Sequence, residues 1–289
     1  YKGNTHIHST ASDGGKTFAE LAQMYSGAGY DFLCRTDHWV ASDAAATVDA
    51  DATVDAGAGD PLLWLDGIEL DGVDESGAAY HVVALGRFSG LAREMGLHKA
   101  LESARAQGGM LILAHPQWMG NTFEDAWRWN FDGVEVYNHV CRWLNGKGDG
   151  SAYWNAALAH NPNTLALAVD DAHLSPGHPG WNGGWVMVNA AQSTPQSILA
   201  ALRAGNFYAS CGPQIETIEF DGEQVHLACS PVQFARMVGP RWMGQRVGSF
   251  DGNLLTRASF VVDPAWPYAY LEIEDAQGRK AWSNPLFME

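Results

Sequence analysis

The chain has 289 residues and a mass of 31.3 kDa, long enough to bury a large core as one α/β domain with or without a smaller appendage. Its 46% hydrophobic and 17% charged content excludes a disordered chain. A formal net charge of −16 argues against a basic nucleic-acid-binding footprint, no apolar run approaches the ~20 residues that span a bilayer, and four cysteines without a C-x-x-C pair argue against a disulfide scaffold. The expectation is a small-molecule partner, no nucleic acid, no membrane and a cytoplasmic location, with the oligomeric state open.

The first element is Gly3-Asn4-Thr5-His6-Ile7-His8-Ser9. In an extended strand, residues two apart share a face, so His6 and His8 are aimed side by side while Ile7 packs the other way. Residues 17–24 read as a helix stopped by Gly27-Ala28-Gly29. Residues 30–35 read as a strand running into Thr36-Asp37-His38, and the stretch 42–60, rich in Asp and Ala, as a solvated excursion rather than a lid. Leu62-Leu63-Trp64-Leu65 leads to Gly67-Ile68-Glu69, and residues 81–86 form another strand opening on His81. A helix is expected over 89–106, ended by Gly108-Gly109. Strands 110–114, 133–138 and 164–169 run into His115-Pro116, Tyr137-Asn138 and Asp170-Asp171-Ala172-His173. Thr194-Pro195 opens a helix that closes at Gly205.

Strands alternating with helices imply a largely parallel sheet, and about seven of them with polar ends suggest a barrel with its active site at that face. From about residue 212 the texture changes to short alternating strands (216–220, 224–229, 258–262 and 268–273) with turn pairs Asp221-Gly222 and Asp251-Gly252. The expected organisation is a barrel over 1–211 and a small antiparallel β unit over 212–289.

The polar groups at these strand ends are His6, His8, Asp13, His38, Glu69, His81, His115, Asp171 and His173. One histidine at a strand end is usually a hydrogen-bonded rim residue; nine convergent groups point to metal. Imidazole and carboxylate without thiolate suit Zn, Mn or Fe, and nine groups exceed one ion's shell, which implies two or three divalent metal ions. Glu69 has the two oxygens needed to bridge a pair.

The motifs His6-Ile7-His8, Ser12-Asp13-Gly14, Thr36-Asp37-His38, Gly67-Ile68-Glu69, His81, Ala114-His115-Pro116 and Asp171-Ala172-His173 together resemble the PHP (polymerase and histidinol phosphatase) superfamily, over residues 1 to about 210. Gly184-Trp185-Val186-Met187-Val188, residues 206–213 and Ala281-Trp282-Ser283-Asn284-Pro285 are similar to the CehA/McbA branch, named for a carbaryl-type carbamate hydrolase. The resemblance implies a distorted (β/α)7 barrel and a trinuclear metal centre. It also implies His6, His8, Glu69 and Asp171 on one metal, Asp13, His38 and His173 on a second, and Glu69, His81 and His115 on a third.

The expected chemistry is that of a metal-dependent hydrolase. A metal-bridging water held with Glu69, Asp171 and His173 attacks a small ester, and no Ser-His-Asp set competes as nucleophile. Phosphoester cleavage and carboxyl ester or carbamate cleavage are both open; only five lysines and few cationic residues beside the motifs lean towards a weakly charged substrate. Tyr137, Asn138, His139 and Arg142 follow a strand end and are the candidate substrate contacts. Asp37 faces away from His38 and reads as an orienter or hydrogen-bond acceptor. Two other readings are a barrel that has lost activity and serves as a binding module, and an amidohydrolase-superfamily enzyme. The latter also opens on His-x-His but often bridges its metals with a strand lysine, which is missing here.

Overall fold

The protein is described by a computed structural model covering residues 1–42 and 62–286. The excursion expected over 42–60 therefore lies, beyond Ser42, outside the described residues.

The N-terminal strands are β1 (Lys2–Asn4), β2 (Phe32–Arg35), β3 (Leu63–Val73), β4 (Ala79–Leu85), β5 (Met110–Leu113), β6 (Gly133–Asn138) and β7 (Leu165–Val169). They lie side by side in chain order. Pairs β1–β2, β2–β3, β5–β6 and β6–β7 are parallel, whereas β4 is antiparallel to both β3 and β5. The cause is the turn after β3. Asp74 Oδ1 accepts from the backbone N–H groups of Ser76 and Ala78, and Gly77 takes φ +86°, so the chain reverses at once with no room for a crossover helix. His81, near the start of β4, is thereby carried to the same face as the C-terminal ends of the parallel strands.

The expected (β/α)7 barrel is not what forms. The sheet is mixed and open: β7 ends it on one side, and β1 continues on the other through β8 (Trp185–Val188) and β9 (Phe207–Ser210), both antiparallel. The extensions of β1 and β7 meet only at one isolated bridge, Ile7 with Ala172. It is flanked by His8 N–H donating to Ala172 O (3.0 Å) and Asp171 N–H donating to His6 O (2.9 Å).

The helices cover the sheet through their apolar faces. α1 (Phe18–Gly27) starts in a capping box, Thr17 with Glu20, buries Leu21, Ala22 and Tyr25, and runs out at Gly29 with φ +77°. α2 spans Leu97–Ala106 and packs on β3 and β5. It begins later than the pattern from residue 89 suggested because Gly96, at φ +76°, separates it from a single 3₁₀ turn over Arg93–Met95. Short α3 (Pro116–Met119), α4 (Asp125–Arg128), α5 (His139–Asn145) and α6 (Ser151–Leu158) follow β5 and β6. In α6, Trp154 is fully buried and its indole N–H finds Thr164 O at 2.8 Å, so no donor is orphaned. α7 (Pro195–Arg203) opens on Thr194, which caps Ser197 N–H.

Beyond residue 212, β10 (Ile215–Phe220), β11 (Gln224–Val232) and β14 (Leu255–Val261) make a three-stranded antiparallel sheet. β12 (Phe234–Val238), β13 (Gly244–Gly248), β15 (Tyr270–Glu274) and β16 (Lys280–Ser283) extend the large sheet, joined to it where β16 pairs with β9. Val225, Leu227 and Phe260 pack against Met237, Leu271 and Ile273 between the two sheets. The four cysteines are free.

Candidate metal centre

All nine residues singled out from the sequence converge. His8, Asp13, His38 and His173 form one group of side chains whose donor atoms lie within 4.8 Å of one another; His6, Glu69 and His115 form a second, His6, His8 and Asp171 a third, and His38, Glu69 and His81 a fourth. β1 stops at Asn4, yet the extended chain beyond it keeps His6 and His8 on one side, with their Nε2 atoms 3.1 Å apart, and buries Ile7 among Phe18, Leu21 and Tyr25. Asp171 and His115 reach the centre from left-handed backbone, at φ +55° and φ +28°, and Trp39, the residue after His38, is also left-handed at φ +55°. Such conformations cost about 1–3 kcal/mol each and persist where surrounding bonds over-determine them.

Glu69 sits at the middle. Its Oε2 lies 3.2 Å from His6 Nε2, 3.1 Å from His8 Nε2 and 3.3 Å from His38 Nε2. Its Oε1 lies 2.8 Å from His81 Nδ1 and 3.4 Å from His115 Nε2. Asp171 Oδ1 is 3.1 Å from His8 Nε2 and 3.3 Å from His6 Nε2. Asp13, which is half exposed, lies 3.4 Å from both His8 Nδ1 and His173 Nε2.

These distances suit ion pairs, but Glu69 Oε2 and Asp171 Oδ1 are buried and accept no hydrogen bond, because the imidazole nitrogens approach off the hydrogen-bonding direction. Buried carboxylate oxygens are costly to leave unpartnered. Nitrogen lone pairs and oxygens gathered around common points are what divalent cations require, so the donor set fits divalent metal.

The charges corroborate this. Burial opposes protonation of His6, but Asp171, Glu69 and Glu135 outweigh it and hold its pKa well above the ordinary imidazole value. Burial likewise opposes the charge on His8, and the carboxylates of Asp171 and Glu69 beside it overcome that and push the pKa up to about 10. Glu69 and Asp171 are held low by the imidazoles against the effect of burial. Without metal, protons supply the positive charge the carboxylates demand.

Carboxylates missed from the sequence orient the ligand rings from behind. Glu135 Oε1 lies 2.6 Å from His6 Nδ1, and Asp71 Oδ1 lies 3.1 Å from His38 Nδ1. The bond to Glu135 leaves His6 Nε2 free to face the centre, while Asp71 meets His38 Nδ1 as a charge partner, off the hydrogen-bonding direction. Asp71 also accepts from Trp39 Nε1 at 2.9 Å and takes both guanidinium nitrogens of Arg93. Two signals were present: Glu135 is the one charged residue in a fully buried strand, and Asp71 is two residues past Glu69 on the same strand face. Asp37 accepts from Ser9 N–H (2.8 Å) and from the Ser12 amide (3.1 Å) and hydroxyl (2.8 Å), pinning the loop that carries Asp13.

The centre opens into a cleft of about 190 Å³ walled by Trp118, Val140, Cys141, Leu144 and His178. A larger hollow of about 440 Å³ lies among Pro264, Trp266 and Tyr268 in the C-terminal β segment, but among the described residues no cluster of ligating side chains lines it. Tyr137, Asn138, His139 and Arg142 do not line the cleft: α5 presents Val140, Cys141 and Leu144 to it instead. Asn138 is a buried brace that caps α5 at Cys141 N–H and donates to Glu135 Oε2 (2.9 Å) and Asp171 Oδ2 (3.2 Å). Tyr137 hydroxyl and His139 Nδ1 bond each other at 3.0 Å, and Arg142 is exposed.

A Ser-His-Asp row does exist. His226 bonds Ser259 Oγ through Nδ1 and Asp221 Oδ2 through Nε2, both at 2.9 Å. It lies on an exposed sheet face, and the cross-strand pairing of His226 with Ser259 commits the neighbouring backbone to the ladder, so no cleft or oxyanion donor accompanies it.

No family model matches this chain, and no curated protein matches it. Among solved structures it is similar to a two-domain protein from Bacteroides vulgatus containing a predicted PHP-like metal-dependent phosphoesterase, at 14% identity and TM-score 0.47 over 99% of this chain and 94% of that one. A candidate metal-dependent phosphoesterase from Bifidobacterium adolescentis is similar at 14% identity and TM-score 0.42, over 62% and 90% of the two chains. An amidohydrolase from Chromobacterium violaceum is similar at 21% identity and TM-score 0.26, over 72% and 65%.

Proposed function

We propose that this protein is a metal-dependent hydrolase of small esters, of the PHP type and nearest in its motifs to the CehA/McbA branch, with its chemistry in residues 1–211. The observation that carries the reading is the convergence of nine His, Asp and Glu side chains around the buried, unpartnered oxygens of Glu69 and Asp171. Two or three divalent ions of the Zn, Mn or Fe class would be held by His6, His8, Asp13, His38, Glu69, His81, His115, Asp171 and His173. When bound, such ions supply an activated water and polarise the ester being attacked.

The chain's own residues do the rest. Glu69 and Asp171, each facing more than one imidazole, fix the spacing of the ligands. His173 donates from Nδ1 to Asp171 O at 2.9 Å, which leaves its Nε2 directed towards Asp13. Trp118, Val140 and Leu144 exclude water from one wall of the cleft.

Cleavage of a carboxyl ester or carbamate rather than a phosphate monoester is favoured by that wall, because among the described residues no Lys or Arg lines the cleft. The same lining lacks the lysine that a carboxylated-lysine amidohydrolase centre would need. Protein purified without chelator should carry more than one equivalent of metal. With Mn or Zn added it should turn over one of nitrophenyl phosphates, phosphodiesters, aryl carboxyl esters or aryl carbamates above a His6→Ala, His8→Ala control. Less than one equivalent of metal would sink the reading, and metal without turnover would leave a binding module.

A further inference from the structure

Glu135 touches two of the nine candidate ligands, His6 and His115, and reaches a third, Asp171, through Asn138, without joining any of their clusters. Its side chain is buried, at 1% exposure, and both oxygens are in use. Oε1 takes His6 Nδ1 at 2.6 Å. Oε2 accepts the backbone N–H of His115 at 2.9 Å and the amide of Asn138 at 2.9 Å, and the same Asn138 amide donates to Asp171 Oδ2 at 3.2 Å. Residues that arrive from β1, β5 and β7 are thus tied through one carboxylate on β6.

We propose that Glu135 is the positioning residue of the metal centre, setting the tautomer of His6 and the backbone of His115 so that their Nε2 atoms face a shared ion. Three physical points support it. A carboxylate at Nδ1 keeps the ring proton there and raises the donor strength of Nε2. His115 holds φ +28°, and its N–H bond to Glu135 is a restraint on that strained backbone. The link through Asn138 makes the orientation of Asp171 depend on the same anion. The inference rests on the metal-centre reading above.

The test is zinc affinity and stoichiometry of the full-length protein by chelator competition, which needs no turnover. Glu135→Gln keeps the size but loses the anionic acceptor, and zinc affinity at one site should fall about 10–100-fold, the usual effect of removing such a partner. Glu135→Asp, which keeps the charge one methylene short, should recover part of the loss. Asp125→Asn removes a different buried carboxylate, the acceptor for Tyr80, and should lower stability while leaving zinc affinity unchanged. In the zinc-loaded wild type, ¹⁵N shifts of His6 should report a protonated Nδ1, and Glu135→Gln should move them. Unchanged zinc affinity and unchanged His6 shifts in Glu135→Gln would overturn the proposal, as would an equal loss of affinity in Asp125→Asn. A wild type that binds no zinc would overturn the metal-centre reading itself, a different and recognisable failure.

Discussion

Asp170 and Asp171 are adjacent and face opposite ways. Asp171 turns into the centre, while Asp170 turns out to accept Tyr25 Oη (2.8 Å) and the backbone N–H groups of Asn182 (2.8 Å), Gly183 (2.7 Å) and Gly184 (2.9 Å). The left-handed backbone at Asp171 makes this divergence possible. Asp170 therefore anchors the loop behind the centre while its neighbour serves the centre itself. Asp170→Asn would set an amide N–H₂ against donors that now meet an oxygen. Leaving buried donors unsatisfied costs about 1–3 kcal/mol each, so urea unfolding of the metal-free variant should show a loss of about 2–4 kcal/mol. A loss under about 0.5 kcal/mol would contradict the anchoring role.

His38 is braced by Asp71, whose carboxylate is held well below its ordinary pKa: burial works against the charge, and His38 and Arg93 outweigh it. Asp71→Asn should lower kcat/KM about 10–100-fold by loosening His38. Arg93→Ala, which removes an exposed partner, should cost at most about 1 kcal/mol of stability and change kcat/KM less than Asp71→Asn. Steady-state kinetics at saturating metal decide this, and equal effects of the two substitutions would contradict it.

Protonation in the stripped protein gives a signed pH dependence. His8 is raised to about 10, above the unfolded value of about 6.5, so its contribution is complete below about pH 6.5 and is lost as pH rises through about 10. Glu69 is depressed, so its contribution is present above the unfolded carboxylate value of about 4.3 and is lost as pH falls through its lowered folded value. Calorimetry of chelator-treated protein should show Tm falling steadily from pH 7 to pH 10. Zinc binding at pH 7.5 should release protons to the buffer. A flat Tm across that window, or no proton release, would count against the charged imidazoles.

Trp118 forms the edge of the cleft and stacks edge-on against His115 and His81, with ring centroids 5.3 and 6.2 Å away. Trp118→Ala should raise KM for an aryl ester about tenfold, equivalent to about 1.4 kcal/mol, with kcat changed less than threefold. Unchanged KM would place the substrate's apolar group elsewhere.

Most of the nine converging residues were legible because they follow strand segments that local pattern reveals, and because His6 and His8 share a face in any extended chain, although Glu69 proves to lie within β3 and Asp13 on a loop. His81 was legible as a residue but not in its approach: only the Asp74–Ala78 reversal explains why the start of β4 reaches the same face as the ends of its neighbours. Glu135 and Asp71 were harder to find because their roles come from pairings between distant segments, which no local period encodes. The same holds for Val140, Cys141 and Leu144. Sequence position pointed to the end of β6, but the turn into α5 rotates the next residues, so Asn138 is buried as a brace and the apolar face meets the cleft. β12, β13 and β16 escaped notice because short strands without clear alternation are defined by their partners.

The single bridge between Ile7 and Ala172 also has a temporal meaning. During synthesis at about 5–20 residues per second, His6 and His8 leave the ribosome on the order of ten to thirty seconds before Asp171 and His173 exist. In that interval the nascent chain displays two neighbouring imidazoles and an acidic loop without the partners that complete their coordination. On the metal-centre reading proposed above, firm metal acquisition would wait until the two ends of the strand series have met, which would make loading a late event in biogenesis.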